Sequence, residues 1–159
     1  MNDGILIHTP TGRALTFTRD LDHSADRVWA ALADPAERAV WFFAGTLELE
    51  AGGTVDLHDS EHGITGTVTA IEPARLLEFT WTSFDAPTST ARFELEHRPP
   101  GCRLTFTHEI DDTCRPENLM PGWHCIFEDL SYVLGGRPLP SNPGRFRAHR
   151  NRYLQAIGH

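Results

Sequence analysis

Nine histidines, three cysteines and 22 carboxylates are the side chains of this sequence that could do chemistry. His108 is the most suggestive of them. It continues the alternation of Leu104 and Phe106, against Arg103, Thr105 and Thr107, so strand parity puts its imidazole on an apolar face. A histidine there is either a hydrogen-bonded core residue or, if the face borders a cavity, a ligand contact or general base. His97 extends the neighbouring face of Ala91, Phe93 and Leu95 but falls at a strand end, where exposure is expected. His124 follows Trp123 at the start of a helical pattern and is expected at the edge of any cavity mouth.

Other reactive spacings are absent. His58 and His62 stand four apart beside Asp59 and Glu61, but they span a turn and lack the one-face helical geometry of a zinc enzyme, so no metal is expected. Cys102, Cys114 and Cys125 are separated by twelve and eleven positions, which fits neither a disulfide framework nor a CxxC clamp. They read as free thiols. No serine sits in GxSxG, no Cys-His or paired-carboxylate arrangement stands out, and Gly52-Gly53 has no phosphate-loop context. No cofactor is implied.

The elements that must position His108 follow from periodicity. Residues 122–134 place Trp123, Ile126, Phe127, Leu130, Val133 and Leu134 on one side of a helix and Glu128 and Asp129 on the other. Pro121 and Gly122 are read as the break before it, Gly135-Gly136 as its close. Residues 13–19 alternate as a strand behind a loosely attached lead-in, 1–12. Ser24 caps a first short helix; Asp34, Pro35 and Glu37, read as a capping box, open a second that ends at Trp41-Phe42-Phe43. Strands are expected over 46–50, 54–58, 64–71, 77–82, 91–96 and 103–108, with turns at Ala51-Gly52-Gly53, residues 59–63 and 72–75, Asp85-Ala86-Pro87 and Pro99-Pro100-Gly101. A sheet of six to seven strands needs one face covered, and only the 122–134 helix carries enough apolar surface to do it. The sheet must curl around that helix.

At 159 residues the chain suits one domain, and 40% apolar with 23% charged residues describes an ordinary globule. No window approaches a membrane span, and the N-terminus lacks a basic region followed by an apolar run, so no signal peptide and a cytoplasmic location are expected. The net charge is −8, with 14 arginines and no lysine. Residues 137–159 hold five arginines and no acid; the other 136 hold nine arginines against 22 acids, or −13. An acidic body argues against nucleic acid. The basic tail either folds back on that body or meets a partner.

Three strings in order resemble the activator of heat-shock-protein-90 ATPase homologue branch of the SRPBCC superfamily, which includes START lipid carriers and birch-pollen allergens. They are Ala25 to Trp41 with Val28-Trp29, Leu32 and Asp34-Pro35; Gly66-Thr67-Val68 through Pro73, Leu77, Phe79 and Trp81; and Gly122-Trp123 with Phe127, Leu130 and Leu134. The resemblance covers roughly residues 13–136. It implies an α+β helix-grip fold, a curved antiparallel sheet around a long C-terminal helix with a cavity between them. The chain departs from the family at its end, continuing through a Pro/Arg-rich extension, 137–159, with a short helix presenting Phe146, Tyr153, Leu154 and Ile157. That tail could plug the cavity mouth, pack outside, or join a dimer.

Periodicity and resemblance together set the expectations. Trp41, Leu57, Phe79, Trp81, Phe93 and Leu95 are the candidate ligand contacts of the sheet side, with Phe106 and His108, and Trp123, Phe127 and Leu130 are those of the helix; at any single one of these positions the simpler expectation is a filled core. The expected function is binding of a small apolar molecule, lipid-like or aromatic, with a stress-related role. A protein-binding accessory domain of chaperone-activator type is the alternative. A second alternative is an enzyme using His108 as general base.

Overall fold

The computed structural model describes residues 3–83 and 87–157. Among the described residues twelve elements run in the order β1 (Ile5–Thr9), β2 (Gly12–Leu21), α1 (Ala25–Ala33), α2 (Pro35–Trp41), β3 (Ala44–Leu47), β4 (Thr54–His58), β5 (Gly63–Glu72), β6 (Leu76–Ser83), β7 (Ser89–Arg98), β8 (Gly101–Ile110), α3 (Pro116–Leu134) and α4 (Arg145–Ile157). The strands form one antiparallel sheet in the order β1-β2-β8-β7-β6-β5-β4-β3. It curves around α3 as a helix grip. Its inward side chains meet the helix directly: the Phe106 and Trp123 rings lie 4.1 Å apart, and Phe17 and Phe106 lie 5.5 and 5.4 Å from Phe127.

Helix starts follow the sequence. The Ser24 hydroxyl accepts the Arg27 N–H at 3.1 Å, and Asp34 accepts the N–H groups of Ala36 and Glu37 at 2.9 and 3.4 Å. Glu37 does not reach back as a capping box would; its carboxylate pairs with Arg27 of α1 instead. Behind α3, Gly136 takes φ of +66°, and the Arg137 N–H reaches the Tyr132 carbonyl at 2.9 Å, closing the last turn.

Three expectations change. The sheet has eight strands because the first twelve residues are not a loose lead-in: β1 pairs with β2, Ile5 opposite Thr16 through Thr9 opposite Gly12. Its unbroken Ile-Leu-Ile run hides the period of two, since an edge strand leaves Ile5 and Ile7 exposed. Strand β3 covers 44–47 instead of 46–50. Helix α3 begins at Pro116, six residues early, and runs through Pro121. A proline ring's fixed φ is itself helical and forfeits one hydrogen bond, while this first turn and a half buries Met120 against the core. The turn expected at Asp85-Ala86-Pro87 falls largely outside the described residues.

Close strand approach explains one glycine. A Cβ on Gly66 of β5 would fall on the carbonyl oxygen of Thr80 in β6, next to the irregular register between Val68 and Ala70.

Candidate ligand groove

The core between sheet and helix is filled. Leu57, Phe79, Phe106, His108 and Phe127 are all fully buried in it. Trp41, Phe93, Leu95 and Leu130 ring a void of only about 10 Å³, room for no more than a water. The space lies at the rim instead. A groove of about 480 Å³ runs between the ends of β5 and β6 and the N-terminal half of α3. Its apolar wall is Phe43, Ile64, Trp81, Leu119, Trp123 and Ile126, and Phe146 of α4 stands at its edge; Glu61, His62, Ser83 and Asn118 give it a polar margin. Of the expected contacts, Trp81 and Trp123 border this groove.

Local chemistry positions these groups. Asp59 accepts the N–H groups of Glu61 and His62 at 2.7 and 2.6 Å, a tight turn that presents both side chains at the margin. The His62 imidazole faces Asp59 at 3.4 Å. Trp81 is clasped by rings, 5.9 Å from Phe43, 5.3 Å from Trp123 and 5.5 Å from His108.

His108 is tied up. The Trp123 indole N–H donates to its Nδ1 at 3.1 Å. An indole nitrogen only donates, so Nδ1 holds the lone pair and the ring proton sits on Nε2. That proton meets the Ser89 hydroxyl at 2.7 Å, which in turn donates to the Trp81 carbonyl at 3.3 Å. The imidazole therefore has no lone pair left for a substrate proton. Burial holds its pKa down to about 4, and protonating Nδ1 would break the Trp123 bond. It holds the Trp123 indole directly and the Trp81 backbone through Ser89.

The profile of the activator of Hsp90 ATPase homolog 1-like family matches residues 22–135. The chain belongs to that family. No curated protein matches it by sequence. Among solved structures, CalU16 from Micromonospora echinospora superposes with a TM-score of 0.77 at 19% identity, covering 97% of this chain and 95% of that one. Protein MLL2253 from Mesorhizobium loti gives 0.71 at 23% identity, over 80% and 100% of the two chains. EF2215 from Enterococcus faecalis gives 0.74 at 17% identity, over 97% and 90%. At such identities the shared property is the helix-grip fold.

Two other candidate histidines, His97 and His124, lie outside the groove. His97 is exposed at the end of β7. His124, read as edging the cavity mouth, is 2% exposed and faces α4, because it lies about 100° around α3 from Trp123, on the side that α4 covers. The apolar groove residues missing from the expected contacts are Phe43, Ile64, Leu119, Ile126 and Phe146, of which Phe146 comes from the short helix that the tail was expected to form. Leu119 lay beyond the assumed helix start. All three cysteines are free thiols, and no helix among the described residues is long and apolar enough to cross a membrane.

Proposed function

We propose that this family member binds a small, largely apolar molecule, aromatic or lipid-like, in the groove between β5, β6 and α3. The groove's composition carries the reading: two tryptophans and four other apolar side chains enclose about 480 Å³, with a few polar groups at one margin. Pockets of that size and mix suit small ligands, whose orientation the polar margin sets. The hydrogen-bonded chain through His108 pre-organises both tryptophans, which lowers the ordering cost of binding. Three free thiols suit a reducing, cytoplasmic compartment.

Little favours the alternatives. The tail arginines that suggested a protein partner are partly engaged within the chain, Arg145 with Asp129 at 2.8 Å and Arg152 with Asp3 at 2.7 Å. A general base at His108 lacks an available lone pair.

Titration with an environment-sensitive fatty-acid probe tests the proposal. Binding is expected to shift the emission of Trp81 and Trp123, and Ile126→Asp is expected to weaken it about tenfold or more by placing a carboxylate in the apolar wall. Unchanged emission across a panel of aliphatic and aromatic probes, with no copurified compound in native mass spectra, would overturn it.

A further inference from the structure

A second site lies on a different face of α3, where α4 packs. His124 and Glu128 are four residues apart and so adjacent on the helix surface. His149 of α4 stacks on His124, ring centroids 4.0 Å apart. One nitrogen of each imidazole and a Glu128 carboxylate oxygen lie within 4.8 Å of one another.

We propose that His124, Glu128 and His149 bind a divalent transition metal ion that clasps α4 to α3. Two imidazoles and one carboxylate suit Zn²⁺, Co²⁺ or Ni²⁺ better than Mg²⁺ or Ca²⁺, which prefer oxygen alone. The hydrogen bonds around the cluster orient it. The Tyr153 hydroxyl oxygen accepts the Gly4 N–H at 2.7 Å and lies 2.8 Å from Nδ1 of His124; with the ring proton on Nδ1 and donated to that oxygen, Nε2 is left for the ion. His149 presents Nε2 to Glu128 at 2.9 Å. A hollow of about 280 Å³ bordered by Glu128, Tyr132, Arg145 and His149 gives the ion a way in and room for water as a further ligand.

Binding requires two local rearrangements. The Arg152 guanidinium now donates to Nδ1 of His149 at 2.9 Å, which places the ring proton on Nε2. A metal on Nε2 shifts that proton to Nδ1, with none released, and Arg152 must let go. It keeps Asp3, which it already holds at 2.7 to 3.1 Å. The stacked rings must also splay to bring the ligand atoms to the ~3.4 Å separation of a tetrahedral site with bonds near 2.1 Å.

Calorimetric titration of the chelator-treated full chain with ZnCl₂, with Co²⁺ visible absorption as the geometric readout, tests the site. One ion per chain and a higher melting temperature are expected. Glu128→Gln, which keeps side-chain volume, and His149→Ala are each expected to weaken binding about tenfold or more. Arg152→Gln is expected to tighten it, an effect no merely structural role for the cluster would give. Circular dichroism on each variant establishes that α4 remains folded. Absence of binding by the wild type, or binding that Glu128→Gln and His149→Ala leave unchanged in folded protein, would overturn the proposal.

Discussion

His108 shows how one buried side chain couples the groove to pH. Its unfolded pKa is about 6.5, and its folded value is about 4 because burial disfavours the charged ring. The unfolded chain therefore binds more protons between those values, and stability must fall as pH drops through that window. The full contribution is present above about pH 6.5, and about 3 kcal/mol is lost by about pH 4. His124, also held down to about 4 by burial, adds in the same direction. Urea unfolding across this range should show the slope. His108→Asn, which keeps an acceptor for the Trp123 indole but does not titrate, is expected to make it shallower, leaving the share of His124, while lowering stability at neutral pH by about 1–3 kcal/mol for lost packing.

Between elements, single polar side chains carry the joints. Arg38 of α2 is 1% exposed and donates to the Leu32 carbonyl at 3.0 Å, to Ala33 at 3.4 Å and to Gly45 at 2.9 Å, joining the end of α1 to β3. Arg38→Met is expected to cost about 2–4 kcal/mol by denaturant midpoint, since the buried Leu32 carbonyl then loses a charged donor. Tyr153 does the same for α4. Its hydroxyl accepts the Gly4 N–H and meets His124, so one group ties β1, α3 and the extension together. Tyr153→Phe is expected to cost about 1–2 kcal/mol and to raise amide exchange in β1 and α4 before the rest of the sheet.

For the whole molecule, charge distribution decides how the extension is held. A body at −13 carries a tail with five arginines, and the contacts of Arg145 with Asp129 and Arg152 with Asp3 are at least partly exposed, hence screened by salt. Tyr153 and Ile157, by contrast, pack against the core. Deleting 137–159 is expected to lower the melting temperature at every salt concentration, by the larger amount at low ionic strength. A deletion effect independent of salt would leave apolar packing as the sole attachment.

Periodicity determined most of the architecture: seven of the eight strands, the tandem helices with their Ser24 and Asp34 caps, the long helix and the short one after it. These depend on contacts a few residues apart, which sequence spacing encodes directly. The edge strand β1 escaped because its register comes from β2, and the early start of α3 because burial of Met120 outweighed Pro121. The apolar positions near Trp123 were legible, but whether they enclose space was not: side-chain volumes meet only in three dimensions, and there Phe106 and Phe127 fill the middle while a groove opens at the rim. His124 and His149 lie 25 positions apart with no spacing to join them. Only the packing of α4 on α3 brings them together, because a cluster between two helices is set by how their faces meet and not by either helix's own sequence.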